Sequence, residues 1–265
     1  MTADYGVKSF QKILSILDCF STVDRSLSVS EIVERSGLPR STAHRLVLSL
    51  RQIGLLDQDG TRHEYRLGLK LFELGNTVLI NMDIHKESRP VMELLSQAAG
   101  EAVHLCVFDG WRMMFIDRQN GGRSGQNNST IIMEASPCHC TGVGKAALAF
   151  QPDAVIDRIV RLGLPAFTRH TITDPVALRE DLSRIRERGY AIDSGEMELN
   201  VRCVAAPIRN NTGRVVAAIS VSGNDRRMTE ERIHELAPRV IEHAALISAR
   251  LGFRPRKTGA QDEAR

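Results

Sequence analysis

The chain has 265 residues, about twice a typical single domain, and its 42% hydrophobic and 25% charged residues exclude a wholly disordered polymer and leave room for two cores. Lys and Arg total 35 against 32 for Asp and Glu, a formal net charge of +3, so any nucleic-acid role must rest on a local patch rather than on overall charge. No apolar run approaches the roughly 18 residues of a membrane span, Asp18 interrupts the early apolar stretch where a secretory signal would lie, and five scattered cysteines fit reduced thiols in a cytoplasmic protein.

Along the first seventy or so residues, Phe10, Ile13, Leu14, Leu17 and Phe20 recur at helical spacing and predict a helix ending near Ser21. Ser28 is followed three residues later by Glu31, the pattern of a capping box, with Val29, Ile32 and Val33 on the buried side and Gly37 at the stop. Pro39 can open a third helix, because a first turn does not need the missing amide. Ala43, Leu46, Val47, Leu50 and Ile53 form its apolar face and Gly54 ends it. Leu55 to Asp57 and Glu64 to Leu67 then read as two short strands around Asp59-Gly60, with Thr61, Arg62 and His63 in the tip. Helix, turn, helix and small hairpin make a winged helix-turn-helix over 7–68. Leu67, Leu71, Leu74 and Val78 continue as a stripe on a linker helix over 69–84, which is also a candidate for dimerisation.

From His85 to about 253 the pattern becomes mixed. Val91, Leu94, Leu95 and Ala98 line a helix ending at Gly100, and Ala102–Phe108 and Met113–Arg118 read as strands joined by Asp109-Gly110. Gln119–Ser129, rich in Gly, Asn and Ser, is predicted to be a mobile loop. Thr141 can cap a helix over Gly142–Phe150, and helical patterns follow at Val155–Leu162 and Val176–Arg188. Val201–Ile208 and Val215–Val221 read as strands. Ile233 to Leu251 form a last helix that Pro238 should kink or delay, and 254–265 is a polar tail.

Between Leu38 and Gly54 stand Arg40, Arg45 and Arg51 and no acid, so this segment carries as much net charge as the whole chain. As the second helix of a helix-turn-helix, it would project Arg40, Ser41, Thr42, His44 and Arg45 into the major groove of double-stranded DNA. Arginine can grip guanine through two bonds, and hydroxyls suit phosphates or base edges. Arg62 and His63 at the hairpin tip could reach the backbone or minor groove. An isolated basic helix is more often a solvated face; the capped helix before it and the wing after it reverse that expectation.

The run Gly37-Leu-Pro-Arg-Ser-Thr-Ala-His-Arg-Leu46 resembles the recognition-helix segment of the IclR family of bacterial transcriptional regulators. Gly189, Asp193, Glu196, Cys203, Val204, Ala205, Ile208 and Asn210 resemble its C-terminal signature in order and spacing, with Arg209 departing from it, and Ser136-Pro-Cys-His-Cys-Thr-Gly-Val-Gly-Lys-Ala146 resembles a third segment. The resemblance implies an α+β architecture: an N-terminal winged helix-turn-helix, a linker helix and a C-terminal GAF-like α/β effector-binding domain. It also implies homodimers or homotetramers and a small organic effector; with no spaced acid–base pair and no secure metal set in the sequence, no enzymatic activity or cofactor is expected.

Amides at Gly142, Val143 and Gly144 open the helix capped by Thr141, where donors and the helix dipole favour an anion. Ser220 and Ser222 share one face of a strand, as Val201 and Cys203 do on another. By resemblance, the effector pocket carries over to Gly142, Val143, Asp193, Val201, Cys203, Ser220 and Ser222. Lys145 follows Gly144 as in a phosphate-binding loop, but His139 and Ala146 stand where Gly and Ser or Thr are needed. Gly142-Val-Gly-Lys-Ala-Ala147 meets a relaxed dinucleotide pattern without the acid expected further on. Cys138-His139-Cys140 lacks the paired spacing of a structural zinc site. A thiol- or metal-based sensor or enzyme using Cys138, His139, Cys140 or Cys203 stays open as the alternative.

Overall fold

The structure, a computed structural model, describes residues 3–21, 23–59, 63–121 and 135–254. The chain divides into two units, Met1–Asn81 and Met82–Arg265. In the first, helix α1 (Ala3–Leu17), α2 (Val29–Ser36) and α3 (Arg40–Gln52) precede strands β1 (Leu56–Gln58) and β2 (Tyr65–Leu67) and helix α4 (Leu69–Ile80). The expected capping box fixes the start of α2: the Glu31 amide donates to Ser28 Oγ at 3.3 Å, and the Ser28 amide donates to Glu31 Oε2 at 2.8 Å. Gly37 then turns the chain with φ 67°, a conformation that glycine adopts without a side-chain penalty. Pro39 stands just before the first turn of α3 rather than in it.

Ile16, Phe20, Leu27, Ile32, Val47, Leu50, Leu56 and Tyr65 form one core. Complete burial of a side chain such as Val47 or Leu50 contributes about 1.5–3 kcal/mol. Leu27 exchanges backbone hydrogen bonds with Tyr65 at 2.9 and 2.8 Å, tying the segment before α2 to the hairpin. Two expected apolar faces are narrower than periodicity suggested. On α1, Phe10 and Leu14 are exposed while Ile16 is buried, and Ile53, past the end of α3, is exposed. No residue of α4 is buried, leaving Leu69, Phe72, Leu74, Val78 and Ile80 exposed.

The second unit runs α5 (Asp83–Ala99), β3 (Ala102–Phe108), β4 (Arg112–Gln119), β5 (Ala135–Pro137), α6 (Gly142–Leu148), α7 (Asp153–Leu162), α8 (Pro175–Arg188), β6 (Ala191–Ser194), β7 (Val201–Arg209), β8 (Val215–Asn224) and α9 (Glu230–Arg250). Its six strands form an antiparallel sheet in the order β5-β4-β3-β8-β7-β6. Helices α5 and α9 cover one face; α6 packs on β6, β7 and β8 from the other, with α8 against α6. The sheet is thus buried on both sides, as its apolar strands require.

Several expectations are corrected here. The buried stripe of α5 runs through Val91, Met92, Leu95 and Ala99, while Leu94 is exposed. The two edge strands, β5 and β6, have only three and four residues, too short for alternation to reveal them. Pro238 lies inside α9 but does not delay its start, which Thr229 caps. Gln119 closes β4, and the rest of the expected loop from residue 122 onward, like the tail from 255, lies outside the described residues. Among the described residues no helix is long and apolar enough to cross a membrane.

Candidate functional site

Two regions carry the chemistry, one in each unit. On α3, Ala43, Val47 and Leu50 point into the core, so the helix turns Arg40, Ser41, His44 and Arg45 to solvent, with Thr42 half-buried. The ion pairs of this unit, Arg35 with Asp24, Arg66 with Asp57 and Lys70 with Glu73, leave Arg40 and Arg45 unengaged among the described residues. No side chain caps the start of α3; the Thr42 and Ala43 amides donate to the Pro39 carbonyl oxygen at 2.9 and 3.0 Å, which leaves the amides of Arg40 and Ser41 as the orphan donors of the first turn. His63 is exposed in the hairpin with φ 54°. Arg62 lies outside the described residues.

In the second unit, strand register gathers the expected effector residues on the face covered by α6. Asp193 pairs with Cys203, Cys203 with Ser222, and Ala205 with Ser220; residues opposed in register point the same way. Ser220 and Cys203 are buried, while Ser222 and Val201 are partly exposed and Val201 sits at the strand end opposite Asn224. Gly142 meets this face so closely that a Cβ added there would lie 2.3 Å from Cys203 Sγ. Val143 turns its side chain into the core.

The start of α6 is less open than its sequence suggested. Thr141 caps it as expected, its Oγ1 accepting from the Gly144 amide at 3.1 Å. The Gly142 amide faces the Cys203 sulfur. Two of the three amides expected to meet an anion are therefore engaged by the protein itself. Asp193 is engaged too, its Oδ1 accepting from the Glu196 amide at 2.7 Å. Burial lifts its pKa to about 6 against the opposing pull of the loop amides and Lys145.

Lys145, Asp181 and Glu196 were not expected as a cluster. The Lys145 ammonium, 2% exposed, reaches Asp181 at 2.9 Å and Glu196 at 2.5 Å, tying α6 to α8 and to the loop after β6. Burial works against the ammonium, but Glu196 and Asp181 outweigh it and raise its pKa. Burial lifts Glu196 to about 7 despite Lys145. The sequence held one clue: a single lysine in a helix otherwise made of Gly, Val, Ala and Leu has no exposed face to occupy.

The cysteine alternative finds no support. Burial pushes Cys138 and Cys203 up and takes Cys140 to about 12, the reverse of the lowered pKa a reactive thiolate needs. His139 Nε2 lies 3.0 Å from the Pro165 carbonyl oxygen, and its pKa is lowered by burial. No group of ligating side chains suited to a metal occurs among the described residues.

Residues 9–60 match the IclR helix-turn-helix domain, and residues 76–249 match the bacterial transcriptional regulator IclR C-terminal domain. The chain is 32% identical over 262 residues to the HTH-type transcriptional regulator BhcR of Paracoccus denitrificans, covering 97% of this chain and 91% of that one. The crystal structure of the Thermotoga maritima IclR superposes with a TM-score of 0.68 at 33% identity, over 93% of this chain and 100% of the other. An IclR homologue from Microbacterium hydrocarbonoxydans, solved in complex with 4-hydroxybenzoate, matches with a TM-score of 0.75 at 27% identity, over 91% and 98% of the two chains. A helix-turn-helix unit joined to a C-terminal α/β unit of this kind, matched along nearly its whole length, makes this chain a member of the IclR family of bacterial transcriptional regulators.

Proposed function

We propose that this regulator binds operator DNA in the cytoplasm as a homodimer or a pair of dimers, with α3 of each protomer in the major groove. A small organic effector held on the α6-facing side of the sheet would modulate that binding. The observation that carries the reading is the division of α3: Ala43, Val47 and Leu50 are buried beneath an outward face of Arg40, Ser41, His44 and Arg45 without an acid. Arg40 and Arg45 suit base edges or phosphates, Ser41, Thr42 and the uncapped amides suit phosphates, and His63 of the hairpin, with Arg62 beside it in sequence, suits the neighbouring backbone. Two-fold pairing would put the two helices about 34 Å apart, on successive major grooves. The exposed Phe10 and Leu14 of α1 and Leu69, Phe72 and Val78 of α4 supply apolar surface for that pairing.

Gly142, Val143, Asp193, Val201, Cys203, Ser220 and Ser222 are assigned to the effector site. Its ligand is a small organic acid in this reading, in keeping with the homologue crystallised with 4-hydroxybenzoate. Bound effector shifts the population of DNA-competent dimers only by its differential affinity for the two states. The protein acts by binding and has no catalytic residues in this reading. Mobility-shift titration on the DNA upstream of its own gene tests the placement of α3. Arg45→Ala is expected to weaken binding by about 10- to 100-fold, the loss of one good base or phosphate contact, with unchanged circular dichroism. Unaltered affinity across a series of salt concentrations overturns it.

A further inference from the structure

On the face assigned to the effector, a second polar row crosses the sheet that no motif marked. Arg118 of β4 stands opposite His104 of β3, and His104 stands opposite Ser220 of β8. A register shift after Leu105 places Ile116 as the extra residue. This turns Phe115 onto the same face, its ring meeting His104 edge-on with centroids 5.5 Å apart. Asp117, the acid next in sequence to Arg118, points to the opposite face, where it lies 3.4 Å from His85 Nε2 on α5. Arg118 Nε donates to Asn120 Oδ1 at 3.0 Å, and the guanidinium makes no ion pair among the described residues. Asp193, the carboxylate that shares this face, lies four strands away on β6, about 19 Å at the usual strand spacing, and is engaged with its own loop. A half-buried guanidinium with no carboxylate beside it among the described residues has donors left to offer an anion, which its planar fork suits.

We infer that Arg118 is the anion-holding, specificity-determining residue of the effector site, and that it selects an organic monocarboxylate whose uncharged body extends past His104 toward Ser220. This rests on the effector reading above and names the group within that site that fixes ligand charge. One cation matches one carboxylate: Lys145 is saturated by Asp181 and Glu196, so a dianion or a phosphate would leave charge uncompensated. The distance from the Arg118 strand to the Ser220 strand is two strand spacings, about 10 Å, the reach of a small ring or short chain. Phe115, partly exposed on the same face by register, gives that body an apolar wall, while Cys106 and Ala218 beside it are sealed in the core beneath α6. Burial, with Arg118 adding to it, lowers the His104 pKa to about 4. The imidazole therefore stays neutral beside the ligand and serves as a hydrogen-bonding wall without competing with the arginine for charge.

The test uses the full chain and a panel of monocarboxylates, from acetate and pyruvate to benzoate and 4-hydroxybenzoate, each measured beside its primary amide. At least one acid is expected to raise the melting temperature where its amide does not. Calorimetry on that acid should then give binding weaker by about 50-fold in Arg118→Ala and about 10-fold in Arg118→Lys, the lysine restoring charge but not the two-pronged geometry. Ligand-free melting and operator binding of both variants should match the wild type, which separates loss of the anion contact from loss of fold. A panel in which no acid is preferred to its amide overturns the inference. So does full acid binding in Arg118→Ala; if Ser220→Ala combined with Ser222→Ala then abolishes binding, the effector site itself stands and only the role of Arg118 falls. Acid binding unchanged in every variant removes both.

Discussion

The two units use charge in opposite ways. In the first, cations sit at the surface: Arg35 and Arg66 are 38% and 56% exposed in their ion pairs, and Arg40 and Arg45 have no partner among the described residues. Such exposed pairs are worth at most about 1 kcal/mol, so the basic face of α3 is left free for an external anion. In the second, Lys145 and Glu196 are withdrawn from water altogether. Those buried charges are spent on the fold, holding a short helix of small residues against a loop and a neighbouring helix, although other cations of this unit, such as Arg227 beside Glu101, stay exposed. A basic residue therefore reads differently in the two helices: on α3 it marks the surface proposed for DNA, while in α6 it is a bolt.

The largest expected effect tests the bolt. Lys145→Met keeps the apolar stem but strands Asp181 and Glu196, and removing one partner of a buried pair typically costs about 3–5 kcal/mol. Chemical denaturation should register that loss, with a melting temperature lower by about 10 °C for a unit of this size. Adding Asp181→Asn and Glu196→Gln to the same chain should recover part of it, because the stranded charges are then gone. Equal instability of single and triple variants would mean that the lysine acts through packing rather than charge.

A middle-sized effect tests the close approach of α6 to the sheet. Gly142→Ala places a Cβ 2.3 Å from Cys203 Sγ, and overpacking of this kind costs about 1–3 kcal/mol. Cys203→Ala should relieve most of it in the double variant, giving a clear interaction energy in a mutant cycle. Simple additivity in denaturation midpoints would show that the helix can move away from the strand without loss.

The same contrast explains what could be read from the chain. In the first unit, Ser28 with Glu31 and Gly37 before Pro39 act over three or four residues, so α2, α3 and the two short strands of the hairpin were legible to within a residue or two. The exposed α3 face followed once Ala43, Val47 and Leu50 were assigned to the core. In the second unit, adjacency is made by sheet register: Asp193 meets Cys203, and Arg118 meets His104, only because β6 pairs with β7 and β4 with β3. The hairpin of β3 and β4 was expected from Asp109-Gly110, but not the register shift that sets its pairs, and the four-residue β6 gave no alternation to reveal its pairing with β7. The signature marked Glu196 without explaining it, since its partner Lys145 lies 51 residues earlier in the chain.

The smallest expected effect tests the local side of the comparison. Ser28→Ala removes the hydroxyl that accepts from the Glu31 amide and leaves the Glu31 carboxylate with only the Ser28 amide to accept from. Loss of an N-cap costs about 1 kcal/mol. Because α2 buries Ile32 against Val47 and Leu50 of α3 in the shared core, fraying at its start should loosen the platform beneath α3. Amide hydrogen exchange should quicken across the first turn of α2 and then along the buried side of α3, while amides of α6 and β7 keep wild-type protection. Protection lost equally in both units would mean that they unfold as one, and that the short-range determinants of the first do not act locally.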